Sequence, residues 1–397
     1  MRISFAASAD LKGGDFNNLN GKMGIGNMII AHEGKRYLLD SLLVASINQP
    51  RRSKINFSSA LVGIKYSGTL SPVALPSILT QFVNSYFPIT DEKPAKASTD
   101  STNFKFEIQL HNHPILSEVF FPELKEFEPG IITGSFDKEK QSLLLDATVK
   151  KLVYGSIELN NLAFNVTSNS TELNYKLAVR TVSNTQINLD NFLFDGKLAQ
   201  NKLTANISSI EKENKKLLIK SEITKVKDNY KFALDPQGFY LMNNLWDVAD
   251  DNFIEFGKQG FMIHHLFMDH AAEQINISSV NNRFNDDLSI TINNFKLDNI
   301  SQIIEKDSSL IKGIVDGNAL LKRVNNSYGI IADANISNLI YQSIPIGNLV
   351  VKAENPSTEK FDINVRLTGA DNNMAVSGYF IPKELNNELN IKAEIQS

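Results

Sequence analysis

The densest group of metal-ligating side chains is the segment HHLFMDH, residues 264–270. Its His265, Asp269 and His270 offer two imidazoles and a carboxylate. Their spacing fits no standard zinc motif, and bulky apolar residues separate them. We therefore predict structural roles for these side chains and no metal site. The segment HNHP, residues 111–114, is typical of a turn after a strand.

The sequence contains no recognisable catalytic motif. The 397 residues include no cysteine, which excludes thiol nucleophiles, disulfides and iron–sulfur clusters. The glycines of GKMGIG, residues 21–26, lack the Gly-Lys-Ser/Thr ending of a phosphate loop. There is no GxSxG nucleophile elbow, and the acidic residues are scattered through turns. We predict that the protein is not an enzyme and uses no cofactor.

Charge argues against a nucleic-acid partner. The formal net charge is −4, and no basic face is visible. The segment QPRRSK, residues 49–54, is a small basic cluster. We interpret it as a solvated loop, with contact to anionic lipid head groups as the alternative.

The elements that carry these residues alternate between apolar and polar positions along almost the whole chain. Examples are Phe104, Phe106, Ile108 and Leu110, followed later by Phe361 through Leu367. This alternation predicts strands with one apolar and one wet face, which favours an antiparallel all-β sheet. Three architectures would cover so long an apolar face: a sandwich, a solenoid, or a gutter that holds apolar ligand.

Few segments have helical spacing. We predict short helices over residues 73–87, 114–121 and 298–306, and QGFMIHHLFMDHAAEQ is ambiguous between helix and strand. The polar segment 91–103 is the best candidate for a mobile loop.

The chain contains an internal repeat. Residues 143–172 align without a gap to residues 330–359, so that Tyr154 matches Tyr341 and Asn161 matches Asn348. We predict four segments: a first β-groove segment (1–103), a repeat module (104–183), an intervening segment (184–287) and a second module (288–397). Both ends of the chain stop inside an alternating run, so we expect a fragment of a longer protein.

The pattern A-x-[IV]-x-x-L-x-Y-x-x-I-x-[IL]-x-N-L resembles the AsmA-like/TamB superfamily. The stretch YLMNNLWDVADDNFIEFGKQGFMIHH, residues 240–265, is similar to a segment of TamB-like proteins from Bacteroidota-type bacteria. The resemblance implies an elongated, curled antiparallel sheet that forms an open U-shaped groove. It also implies a periplasmic location within an inner-membrane-anchored protein of a Gram-negative bacterium. The implied function is phospholipid transfer to the outer membrane and outer-membrane biogenesis.

That groove would bind phospholipid acyl chains, with an Omp85-type outer-membrane protein as a partner through parts outside this chain. The side chains predicted to line it are Phe104, Phe106, Ile108, Leu145, Val149, Leu162, Phe164, Val166, Tyr175, Leu177, Phe232, Ile290, Ile336, Val351, Ile363, Val365 and Leu367. Two alternatives stay open. One is a scaffold or chaperone for outer-membrane protein assembly. The other is an extracellular β-solenoid adhesin or polysaccharide-active protein.

Overall fold

The computed structural model describes residues 1–14, 19–90, 102–185, 188–211, 214–242, 244–304, 310–324, 327–355, 360–369, 372–381 and 387–395. These residues form 27 strands, and every strand pairing described below is antiparallel. The helical elements of these described ranges are α1 (Leu75–Asn84), α2 (Asp298–Ile304), a 3-10 turn (Pro72–Ala74) and a π-helical turn (Leu116–Phe120). The prediction of an all-β antiparallel fold with a few short helices is confirmed. Within the described ranges, none of the helices has the length and apolar character needed to cross a membrane.

The chain divides into two compact units, which we describe separately. Unit 1 comprises residues 1–185 and 190–205, and unit 2 comprises residues 186–189 and 206–397. The division into four segments stays a prediction.

In unit 1, strands that follow one another in sequence are mostly neighbours in the sheet. The order is β1 to β6, then β8 to β11, and the short β7 pairs with β9 beside β8. The strands are β1 (Arg2–Lys12), β2 (Asn20–His32), β3 (Lys35–Gln49), β4 (Arg52–Ser58), β5 (Val62–Gly68), β6 (Asn103–Leu110), β7 (Leu124–Glu128), β8 (Ile131–Asp137), β9 (Ser142–Tyr154), β10 (Ile157–Ser168) and β11 (Leu173–Ser183); β12 (Asn188–Ala199) and β13 (Lys202–Glu211) cross the boundary between units.

In unit 2 the order is β14, β15, β16, β19 and then β20 to β27, and β17 pairs with both β15 and β18. The strands are β14 (Asn214–Val226), β15 (Asn229–Leu241), β16 (Asn244–Val248), β17 (Phe253–Gly257), β18 (Gly260–His264), β19 (Leu266–His270), β20 (Glu273–Ser279), β21 (Leu288–Lys296), β22 (Ile311–Val324), β23 (Ser327–Tyr341), β24 (Ile344–Asn355), β25 (Phe361–Gly369), β26 (Asn372–Ile381) and β27 (Glu388–Ile395).

The three predicted helices exist, and the first two are shorter than predicted. The first comprises the 3-10 turn and α1, and the second comprises residues 114 and 115 and the π-helical turn that follows them. The third is α2, and residues 305–306 of that prediction lie outside the described residues. The ambiguous segment forms β18 and β19. Of the predicted loop, residues 91–101 lie outside the described part, whereas Asn103 already belongs to β6.

Several long strands contain a residue in the left-handed backbone conformation, usually asparagine. Asn161 in β10 has a φ of 51°, and Asn27, Asn191, Asn294 and Asn338 are similar. Asparagine tolerates this conformation better than other non-glycine residues do. A single left-handed residue interrupts the regular pleat, so these positions mark local irregularities in otherwise regular strands.

Candidate functional site

The predicted groove residues of unit 1 lie on one face of the sheet, which we call the apolar face. Cross-strand register fixes this, because directly paired residues point to the same side. Two of its rungs, running across β5, β6, β8, β9, β10 and β11, are Tyr66–Phe106–Gly134–Leu145–Val166–Tyr175 and Ile64–Ile108–Ile132–Ala147–Phe164–Leu177.

The remaining predicted residues of unit 1 extend these rungs. Val149 pairs with Leu162, and Phe104 pairs with Phe136 in the rung below Phe106. The structure therefore brings all ten predicted side chains between Phe104 and Leu177 onto one side of the sheet. The opposite side, the wet face, carries the intervening residues, for example Lys65–Glu107–Thr133–Asp146–Asn165–Lys176.

The apolar face is neither sealed nor fully exposed. Among the predicted residues only Phe104 and Val166 are buried, at 3% and 8% exposure. The other eight, including Phe106, Phe164 and Leu177, are half-buried. A packed core would bury most of them almost completely. This face can therefore still gain hydrophobic contact from a ligand.

Helix α1 covers one margin of the apolar face. Its Leu75, Ile78, Leu79 and Phe82 pack against the buried cluster of Tyr66, Phe104 and Phe136. The Phe82 and Phe136 rings meet edge to face, with centroids 4.9 Å apart. The helix residues at this contact recur at helical spacing, which is why the sequence predicted an amphipathic helix here.

The Phe106 ring lies directly against Gly134 on this face. A Cβ atom on Gly134 would lie 2.4 Å from Cε1 of Phe106, which is far inside van der Waals contact. Glycine at this rung position therefore leaves the space that the Phe106 ring occupies.

Two tyrosines on the apolar face keep their hydroxyls satisfied internally. The Tyr66 hydroxyl donates to the carbonyl of Leu70 at 2.7 Å, and the Tyr175 hydroxyl donates to the carbonyl of Thr204 at 2.9 Å. Burial raises the pKa of each phenol to about 12. Both phenols therefore stay neutral to a higher pH than an exposed tyrosine does.

The other margin of the apolar face forms a pocket of about 430 Å³. The π-helical turn closes it, and its lining is almost entirely apolar. The lining residues are Leu61, Val62, Leu110, His111, Leu116, Phe121, Leu124, Phe127, Leu152 and Tyr154. None of these was among the predicted groove residues.

A shift in the alternation explains why Leu152 and Tyr154 were missed. The apolar positions run through Leu145 and Val149 and then resume one residue out of phase. In the paired strand β10 the same shift falls at the left-handed Asn161. Because Leu152 and Leu110 line one pocket, both lie on the apolar side. The doubled polar residues Lys150-Lys151 and Asn160-Asn161 are the sequence signal of this shift.

Unit 2 has a corresponding apolar face. The predicted residues Ile290, Ile336, Val351, Ile363, Val365 and Leu367 share one side of β21 to β25. Its rungs include Ile290–Ala319–Ala332–Ala353–Ile363 and Gly317–Ala334–Val351–Val365–Val376. Ile363 is 40% exposed, and the other five are half-buried.

Part of unit 2 is filled by a compact cluster. Trp246, 1% exposed, packs with Leu241, Val248, Met268 and Phe295. Leu234 and Ile292 pack against the same cluster, and Phe232 lies two residues before Leu234 on the same side of β15. Phe232 therefore borders a packed region, whereas Val365 and Leu367 border an open one.

The two repeat copies form matching hairpins. Tyr154 pairs with Ile157, and Tyr341 pairs with Ile344, each across a two-residue turn. Their exposures are also alike, at 48% for Tyr154 and 45% for Tyr341. The copies differ further along, because Asn161 is left-handed whereas Asn348 is not and instead accepts a hydrogen bond from the amide of Asn338.

The histidine segment of unit 2 holds structural contacts. His265 Nδ1 lies 2.6 Å from Asp251 Oδ1, and this contact lowers the pKa of Asp251. His270 Nδ1 donates to the carbonyl of Leu245 at 2.8 Å. In the portion of the chain that the structure describes, no group of three or more His, Asp or Glu side chains is arranged to hold a metal ion.

Comparison with known proteins returns no relative. No protein-family model, no curated protein and no solved structure matches this chain.

Proposed function

We propose that this chain is a segment of a lipid-transfer conduit in which phospholipid acyl chains lie against the apolar faces of the two units. One observation carries the proposal: the rungs from Tyr66 to Tyr175 and from Ile64 to Leu177 form a continuous apolar surface, and all of its residues except the buried Tyr66 and Val166 are half-buried. The resemblance to the AsmA-like/TamB superfamily supports the rest. It implies a periplasm-spanning, inner-membrane-anchored protein that serves outer-membrane biogenesis.

The physical basis is the cost of exposing acyl chains to water. Moving each CH₂ group of an acyl chain from an apolar environment into water costs about 0.8 kcal/mol of transfer free energy. The apolar face offers aliphatic and aromatic side chains of similar character on successive strands, which lie about 4.8 Å apart. An acyl chain that moves from one strand to the next exchanges like contacts for like, so no step forms a deep trap.

The decisive experiment places a charge on either side of one strand. Leu177 and Lys176 are neighbours in β11, but Leu177 is half-buried on the apolar face and Lys176 is exposed on the wet face. Leu177→Glu should remove the lipid held by unit 1, so that native mass spectrometry of detergent-free protein shows less retained lipid than in the parent, because an acyl chain gives a carboxylate no partner. Lys176→Glu should retain lipid like the parent.

Circular dichroism shows whether both variants stay folded. Folded Leu177→Glu protein that retains lipid as the parent does would overturn the conduit. The assembly scaffold would then be the better interpretation.

A further inference from the structure

The wet face of unit 1, opposite the proposed acyl-chain surface, contains a concave region. It is a trough of about 560 Å³ that spans β4, β5, β6, β8 and β9. Polar side chains predominate in its lining, and three of them are lysines: Lys54, Lys65 and Lys105.

One rung of this trough alternates lysine and serine. Lys54 pairs with Ser67, Ser67 pairs with Lys105, and Lys105 pairs with Ser135. The two lysines are two strands apart, so their backbones are separated by about 10 Å. Each has a flexible four-carbon stem, so both ammonium groups can converge on an anion that lies over the Ser67 hydroxyl.

The carboxylates that line the trough are already engaged. Glu107 accepts hydrogen bonds from Lys65 at 3.1 Å and from Gln109 at 2.9 Å. Asp146 accepts one from Asn165. Among the described residues, Lys54 and Lys105 have no ion-pair partner. Asn165 is neutral and leaves the charge of Asp146 in place, so three lysines and two carboxylates give the trough a net charge of one positive. Lys54 and Lys105 face the same concavity as the hydroxyls of Ser67 and Ser135.

Exposed apolar side chains stand at both ends of the same rung. Ile47 pairs with Lys54 and is 40% exposed, and Leu144 pairs with Ser135 and is 44% exposed. Cations flanked by exposed aliphatic groups suit the interface of an anionic membrane, where the cations meet phosphates and the aliphatic groups meet acyl chains.

We propose that the trough between Lys54 and Lys105 binds a phosphate group, and that the flanking Ile47 and Leu144 favour the head group of an anionic lipid as its source. The site lies on the face opposite the acyl-chain surface. It therefore does not depend on the conduit, and either proposal can fail alone.

Two measurements test this site. Inorganic phosphate is titrated by calorimetry at low ionic strength, and flotation compares phosphatidylglycerol vesicles with phosphatidylcholine vesicles. Lys54→Gln or Lys105→Gln should weaken phosphate binding by about tenfold, as expected for loss of a charge-assisted hydrogen bond. Lys176→Gln, a matched exposed lysine on the wet face, should bind as the parent does. Glu107→Gln, which releases Lys65 from its ion pair, should bind more tightly.

The outcomes separate the sources. Parallel loss of phosphate binding and of flotation with phosphatidylglycerol supports a head-group site. Loss of phosphate binding alone supports a site for a free phosphate compound. The proposal is overturned if the parent binds neither probe, or if Lys176→Gln weakens binding as much as Lys54→Gln does.

Discussion

Single residues on the apolar face show how the protein keeps it free of charge. Tyr66 is 4% exposed, and its hydroxyl is bonded to the carbonyl of Leu70. Burial raises its pKa to about 12 from the ordinary value of 10.0. The unfolded chain therefore releases this proton at a lower pH than the folded chain does. The stability that follows is complete below pH 10 and is lost as the pH rises towards 12.

The corresponding prediction concerns Tyr66→Phe. Between pH 10 and 12 the parent should lose unfolding free energy more steeply than Tyr66→Phe does, because the variant has no phenol to ionise at this position. Urea denaturation at pH 9 and at pH 11.5 measures the difference. Tyr154→Phe, at an exposed position outside the buried cluster of Tyr66, is the matched control. Equal pH slopes for parent and Tyr66→Phe would contradict the assignment.

Among the elements, the sequence predicted the strands well because alternation is a local signal. Phe106, Leu145 and Phe164 lie on one face, because every second residue of a strand points to the same side. The packing of α1 onto that face was not predictable. The apolar stripe of an amphipathic helix indicates that the helix packs against an apolar surface, but it does not identify that surface. Here the surface includes Phe136 in β8.

The trough and the apolar pocket were beyond sequence reasoning for a related reason. Lys54 and Lys105 are far apart in sequence, and only the pairing of β4, β5 and β6 brings them to one rung. The side of the sheet on which Leu152 lies could be predicted only by knowing that the left-handed Asn161 accompanies the change of phase in the alternation. Alternation read with a strict period of two assigns Leu152 to the wrong side.

The left-handed backbone at position 161 favours asparagine or glycine over β-branched residues. Its φ of 51° disfavours β-branched residues, so Asn161→Val should destabilise unit 1 by about 1–2 kcal/mol. Asn161→Gly should cost less, because glycine adopts this conformation freely. Chemical denaturation followed by tyrosine fluorescence measures both, and Thr167→Val, an exposed strand position in β10, is the control. If valine and glycine cost the same at position 161, backbone conformation is not the reason for asparagine there.

Helix α1 gives a second prediction at this scale. Phe82 covers Phe136 at the margin of the apolar face. Phe82→Ala should uncover apolar surface and so increase the fluorescence of bound anilinonaphthalene sulfonate, while destabilising unit 1 by about 2–3 kcal/mol. Val73→Ala, at an exposed position in the 3-10 turn before α1, serves as the control. A decrease in dye binding on folded Phe82→Ala protein would show that α1 itself supplies the dye site.

The whole molecule presents two apolar faces, one in each unit, built by the same rule. Both carry rungs of aliphatic side chains, and both repeat copies form hairpins with the same register at Tyr154 and Tyr341. Each face is partly filled, by the Trp246 cluster in unit 2 and by the packing of α1 on Tyr66, Phe104 and Phe136 in unit 1. We therefore expect both units to retain lipid.

The number of lipid molecules that each variant retains tests this expectation. Val365→Glu places a carboxylate on the apolar face of unit 2, and Arg366→Glu places it on the opposite face of the same strand, β25. Native mass spectrometry should show that Val365→Glu removes the lipid held by unit 2 and that Leu177→Glu removes that held by unit 1. The double variant should retain almost none, and Arg366→Glu should resemble the parent. If the two faces bind lipid independently, the two losses should sum to the loss in the double variant. If either single charge abolishes all retention, lipid bound to one unit depends on the other, and the two faces cannot be treated as separate binding surfaces.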